Sequence, residues 1–372
     1  MKKRLKAYER EIEFCSYCPK LCRFACPVAK ITASEASTPT GKMTIIKLVK
    51  DGALEFNSEV ALLIYQCSGC LLSRTYCEHR IEVIGTFEAI RAIAVEKGLA
   101  PKRVLEFGNA WAKFRNPYGE DLSSRLKSLA QARESKKSPV LVFPGCTMSH
   151  YFPDTIKDLL LVLDQLELNY QVFNQEYICC GYPLYAIGHW KILEEHKKWL
   201  AEKLSGYELI LSPCPTCVYF LKSQYLNPGI AEVKKIQHIS EFISENLAGL
   251  NFQTRISGKI VYHDPCHLGR YLNVYQPPRE ILKAITQDSF LEFYESQEQA
   301  ECCGGGGGLP LAHPQIARAI SKNKLEEFKA LGGEVLASAC PMCERMFART
   351  GREQGIVVKD LISLLAQSLG KK

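Results

Sequence analysis

A five-cysteine pattern, a lone Cys, then an adjacent Cys-Cys, then Cys-x2-Cys, occurs twice in this 372-residue chain and constrains its fold more than any other feature. The first copy is Cys146, Cys179, Cys180, Cys214 and Cys217, and the second is Cys266, Cys302, Cys303, Cys340 and Cys343. Each copy draws thiols from three separate stretches of chain. Those stretches must fold back to one point, as a metal cluster requires and a single redox Cys-x2-Cys does not. The flanking segments repeat as well: "PVLVFPGC" ending at Cys146 answers "KIVYHDPC" ending at Cys266, and "ELILSPCPTC" answers "EVLASACPMC". The offset starts at about 120 residues and grows by a few with each segment, as loop insertions between fixed elements produce.

The remaining seven cysteines lie near the N-terminus, Cys15, Cys18, Cys22 and Cys26 in "CSYCPKLCRFACPV" and Cys67, Cys70 and Cys77 in "CSGCLLSRTYC". Cys-x2-Cys runs closed by Cys-Pro read as iron–sulfur ligands, and in two-cluster patterns the fourth Cys of each run serves the other run's cluster. On that rule Cys15, Cys18, Cys22 and Cys77 complete one cubane 4Fe–4S site. Cys26, Cys67 and Cys70 form the other, with Ser73 where a third Cys is usual. Ligation by Ser73 or nearby His79, a 3Fe–4S cluster, and a purely structural site are the three readings of it.

Seventeen cysteines in a chain of this length fall well under the density of roughly 8–10% that marks a small disulfide scaffold, so metal binding fits better than stapling. The start, "MKKRLKAYEREIEF", is basic but has no apolar run after it, which predicts no export signal and a reducing, cytoplasmic setting. No stretch approaches the ~20 apolar residues that span a bilayer. The longest candidate, "LLLVLDQLEL", is broken by Asp164 and Glu167. Membrane association is therefore expected only peripherally, through a partner. The net charge of +7 comes from scattered Lys and Arg, with small clusters such as Lys136-Lys137, and reads as solvated surface rather than a nucleic-acid site.

Residues 1–114 are expected to form a helical ferredoxin-like domain. Residues 115–138, polar and rich in breakers, read as a linker carrying one exposed helix. The repeats define residues 139–255 and 256–372 as two cysteine-rich domains. In the first, the strand pattern "VLVF" precedes the helix pattern "DTIKDLLLVLDQL", and the helix pattern "HWKILEEHKKWLAEKL" precedes the strand pattern "ELILS". That alternation predicts an α/β fold: two pseudo-symmetric lobes with mainly parallel sheets, cysteines at the C-terminal ends of the strands, facing each other across a cleft.

Four thiolates suffice for a cubane cluster, so sets of five suggest a bridging sulfur or a distorted cluster, or else a buried vicinal pair with four ligands in use. Closed tetrahedral zinc sites do not use five thiols. In the second copy the pair is followed by Gly304 to Gly308, a loop free to approach a cluster and aim N–H groups at sulfur or an anion, and expected on the more open side of the cleft. It is not a phosphate-binding loop, because no Lys-Ser/Thr follows. His263 and His267 bracket Cys266 and His150 follows Cys146; of these His267 is the candidate catalytic proton donor.

At these residues, most specifically the two five-cysteine motifs with "YHDPCHLGR" and "CCGGGGG", the chain resembles the cysteine-rich CCG subunits of the heterodisulfide reductase family. The likeness is closest to the form in which a helical ferredoxin unit is fused to the two-repeat catalytic unit. Related arrangements occur in iron–sulfur subunits of glycolate oxidase, lactate-utilisation proteins and anaerobic glycerol-3-phosphate dehydrogenase. The resemblance implies that each five-cysteine set holds a noncubane 4Fe–4S cluster, the pair reducing a disulfide or similar two-electron acceptor. A flavoprotein or ferredoxin would supply the electrons within a hetero-oligomeric complex. The alternative is an electron-transfer subunit linking a flavin-dependent dehydrogenase for a 2-hydroxy acid or acyl-CoA to a quinone or other carrier.

Overall fold

The computed structural model describes residues 1–18, 20–131, 138–226, 229, 232–287 and 290–371. Up to Gln131 the described chain is helical, the longer helices being Glu9–Ser16, Pro39–Asp51, Ile84–Glu96 and Lys102–Phe114. Pro39 sits at the first helical position behind Thr38, whose hydroxyl accepts from the Gly41 N–H, a pre-organised helix start. Helix Ile84–Glu96 is buried almost all round, taking Glu88 and Arg91 into the interior with its apolar residues, and becomes the axis of this region.

The two repeats each form a four-stranded parallel sheet. In the first, β1 (Val140–Val142), β2 (Gln171–Val172), β3 (Leu209–Ser212) and β4 (Lys235–His238) lie in the order β2-β1-β3-β4. In the second, β5 (Ile260–His263), β6 (Leu291–Glu292), β7 (Val335–Ser338) and β8 (Val357–Asp360) repeat the order as β6-β5-β7-β8. Leu141 stands opposite Ile210 in one sheet and Val261 opposite Leu336 in the other, so apolar pairs hold the same register. The predicted helices appear as Pro153–Gln165 and Trp190–Leu204.

Two expectations change on folding. The helix foreseen as exposed, Ser123–Gln131, packs down: Leu122 and Leu126 are buried in the first lobe's core, and only residues 132–137 of the expected linker lie outside the described residues. The lobes also meet by packing rather than across an open groove. Ile156, Leu159 and Leu163 of the first share one apolar core with Ile281, Leu282, Leu361 and Leu365 of the second. The buried Asp158 carboxylate accepts from the Ser363 hydroxyl at 2.8 Å across that seam. Among the described residues no helix is long and apolar enough to cross a membrane.

Candidate metal centres

In both lobes the thiols gather just past the C-terminal ends of the strands. Cys214 and Cys340 leave β3 and β7 in extended conformation and serve as N-caps, with Pro215 and Pro341 at the first helical position. Cys-Pro-x-Cys thus places its two thiols around one helix start, where the backbone N–H groups favour a thiolate. Cys146 follows Gly145, whose φ of +75° and close approach admit no side chain: a Cβ there would lie 2.9 Å from the Cys217 sulfur.

The contacts within the sets run in matching order. Cys146 and Cys179 lie 3.5 Å apart, and hydrogen bonds continue from Cys179 to Cys180, Cys217 and Cys214. In the second set Cys266 meets Cys302, which meets Cys303; Cys343 lies 3.2 Å from Cys303 and bonds Cys340. Burial pushes Cys179 well above the ordinary thiol range, while bonds from Cys179 and Cys217 hold Cys180 below it against its own burial. Likewise the bond to Cys266 pushes Cys302 up, and the bond from Cys302 holds Cys303 down. Such buried thiols share protons among too few charges, and a bound cation would displace the protons outright. The donor chemistry therefore suits a thiophilic metal cluster. Cys340 is near enough to Cys214 of the first set for a charge there to push its thiol up.

The histidines divide. His267 Nδ1 lies 3.5 Å from the Cys266 sulfur, its ring stacks on Tyr271 at 4.3 Å, and its buried Nε2 has no hydrogen-bond partner among the described residues. His263 turns away from Cys266: its donor nitrogen and the sulfurs of Cys303 and Cys343 lie within 4.8 Å of one another. His150 stacks on Tyr118 at 4.3 Å and approaches Glu120 instead of a thiol. Residues of the surroundings that sequence reasoning passed over include His196, which bonds the Cys179 carbonyl at 2.8 Å, and Tyr225, whose hydroxyl donates to the Cys180 carbonyl at 3.0 Å. Arg270, though inside "YHDPCHLGR", carried no signal of its own.

In the helical region Cys15, Cys18, Cys22 and Cys77 line one cavity of about 220 Å³. Burial pushes the Cys15 thiol to about 12 and the Cys22 thiol to about 11. Ser73 and His79 line this same cavity and not the site of Cys26, Cys67 and Cys70, because the short helix Leu72–Thr75 turns Ser73 towards Cys77. Cys26 neighbours Cys67 and Cys70 and also the buried Lys42 amine, which burial holds below its ordinary value. A larger cavity of about 510 Å³, lined by Leu129, Lys157, Leu160, Leu161, Asp164 and Gln165, carries no thiol.

The glycine loop is the covered side of the second lobe. The Gly304 N–H donates to the Cys302 sulfur at 3.2 Å, but beyond it the loop lies against the helical region. A Cβ on Gly307 would sit 2.4 Å from the Cys67 carbonyl oxygen, and one on Gly306 2.4 Å from that of Ser68. The buried guanidinium of Arg91 fastens the junction, donating to the carbonyls of Cys67 (3.0 Å), Gly307 (2.7 Å) and Ala186 (2.9 Å).

A profile of the CCG cysteine-rich domain matches residues 140–222 and 260–348. The chain is 29% identical over 320 residues to a subunit of the dihydromethanophenazine:CoB–CoM heterodisulfide reductase of Methanosarcina barkeri, covering 82% of this chain and 78% of that one. It is 28% identical over 352 residues to a subunit of the fumarate reductase (CoM/CoB) of Methanothermobacter marburgensis, covering 92% and 70%. A probable iron–sulfur-binding oxidoreductase of Bacillus subtilis is 34% identical over 183 residues, 46% of this chain and 26% of that protein.

Proposed function

We propose that this chain, which carries two CCG cysteine-rich domains and is homologous to the matched heterodisulfide reductase subunit and related iron–sulfur proteins, is the disulfide-reducing iron–sulfur component of a cytoplasmic hetero-oligomeric complex. Cys15, Cys18, Cys22 and Cys77 would hold a cubane 4Fe–4S cluster, where electrons from a flavoprotein or ferredoxin would enter. Each five-cysteine set, Cys146 to Cys217 and Cys266 to Cys343, would hold a noncubane cluster. Clusters bound there supply one-electron chemistry, two of them together the pair of electrons that breaking a disulfide consumes. The balance is one S–S bond broken, two electrons and two protons taken up, and two thiols formed.

The observation that carries the reading is the duplication of the thiol order at matching strand ends. The protein's own residues bury both sets and hold a proton near them. His267, anchored by Tyr271 stacking and facing Cys266 through Nδ1, leaves Nε2 as the atom that protonates a departing thiolate. The domain limits 1–114, 139–255 and 256–372 belong to the same proposal.

The test is anaerobic purification with iron and acid-labile sulfide analysis, followed by reduction and a disulfide-reduction assay monitored by free thiol. Iron-loaded protein that reduces a disulfide substrate supports the reading. Full cluster occupancy with no turnover of any disulfide would sink it and leave the electron-carrier role.

A further inference from the structure

The second lobe's thiol set does not end at its five cysteines. Cys70, from the helical region, packs in one buried cluster with Cys302 and Cys266. Cys26 joins the packing around Cys303, Cys340 and Cys343. The backbone on both sides is fixed: Arg270 donates to the carbonyls of Cys70 at 2.6 Å and Ala300 at 2.7 Å, and the Tyr271 hydroxyl donates to the Gly69 carbonyl at 2.7 Å. In the first lobe the equivalent thiol, Cys146, faces Thr147 and Tyr118 instead.

A separate site at Cys26, Cys67 and Cys70 has three thiols, enough for a 3Fe–4S cluster but one short of a four-thiolate cubane, and Ser73, the residue in register for the fourth, lines the other cavity. The thiol that Cys70 does meet, Cys302, already sits between Cys266 and Cys303, central to its own set. Cys67, half-buried, accepts from the Gly69 N–H at 3.4 Å in its own loop.

We propose that Cys70 is a sixth thiolate of the second lobe's metal centre, and that Cys26, Cys67 and Cys70 hold no cluster of their own. The helical region then contributes one complete site and one ligand to its neighbour. The two lobes meet the helical region unequally: against the second set it places the thiol of Cys70, and against the first set Trp111, edge-on to the His196 that bonds the Cys179 carbonyl. The inference rests on the reading that the thiol sets hold iron–sulfur clusters.

The test compares anaerobically purified full-length protein with its C15S, C67S, C70S and C343S variants by iron content and EPR of the reduced state. C15S identifies the signal of the cavity cluster, and C343S that of the second lobe. The expected result is that C70S shifts the C343S-dependent signal while keeping the C15S-dependent one, which also shows that the variant has folded. C67S should alter neither and lose no iron. Loss of a third signal and about three or four irons in both C67S and C70S, independent of C343S, overturns the proposal. Should C70S lose every signal by misfolding, iron content of C67S decides alone, about three or four irons lost being the overturning result. Wild-type protein with no C343S-dependent signal overturns this inference and the functional reading together, whereas the third-cluster result leaves the functional reading standing.

Discussion

The Arg270 guanidinium donates a 2.6 Å hydrogen bond to the backbone carbonyl of Cys70, two hundred residues away in sequence, while also holding the carbonyls of Glu298 and Ala300. One cation of the second lobe thereby fixes the loop of a thiol from the helical region. Replacing it with an apolar side chain strands the two buried acceptors of Cys70 and Ala300 and the partly buried one of Glu298. Arg270→Met is expected to lower unfolding free energy by roughly 2–4 kcal/mol, read from urea denaturation. Stability unchanged from wild type would mean that the junction does not depend on this residue.

The glycine loop provides a steric prediction. Gly307 and Gly355 both have positive φ, +60° and +66°, but a Cβ on Gly307 meets the Cys67 carbonyl while one on Gly355 meets nothing within 4 Å. Gly355→Ala should lose about 1 kcal/mol, the conformational cost alone. Gly307→Ala adds a backbone clash and should lose about 2–4 kcal/mol. Thermal unfolding of the two variants side by side measures the difference, and equal losses would show that the loop does not press on Cys67.

Glu88 gives a pH dependence with a definite sign. It is buried in helix Ile84–Glu96, and desolvation raises its carboxyl to about 8. The native state therefore keeps a proton that the unfolded chain releases above about pH 4.3, so stability falls as pH rises from there to about 8. E88Q removes this group's contribution without removing its bulk. The difference in stability between E88Q and wild type should grow in favour of E88Q by an amount on the order of several kcal/mol across that window, checked by denaturation at a series of pH values. A pH-independent difference would show that Glu88 ionises in the folded protein much as it does in the unfolded chain.

Metal content gives the fourth prediction. The raised thiols of Cys15 and Cys22 have to surrender their protons for a cation, so loading should release protons and its affinity should weaken as pH falls. Protein purified without oxygen is expected to contain iron and sulfide with little zinc, and stripping the iron should lower its unfolding temperature. Zinc in place of iron would return the chain to a structural scaffold.

Much of this architecture was legible in the chain because its signals are local. Cys214-Pro215 and Cys340-Pro341 announce strand-to-helix turns within a few residues, and the repeat of "ELILS" as "EVLAS" announces two sheets of one kind. What stayed hidden is long-range. Gly304 to Gly308 looked like an open loop because the backbone of Cys67 and Ser68, which it is shaped to receive, lies far away in sequence. Ser73 looked like a substitute ligand because spacing says nothing of the face a short helix presents. Leu122 and Leu126 sit in a polar stretch whose partners come from a sheet that begins only at Val140.

Helix Leu361–Ser368, sequentially part of the second repeat, lies against Pro153–Gln165 of the first, with Ser363 bonded to Asp158 and Thr155. Neither repeat is thus a self-sufficient folding unit: excising one would leave the other with an uncovered apolar stripe. The chain should therefore melt across both repeats in one cooperative step.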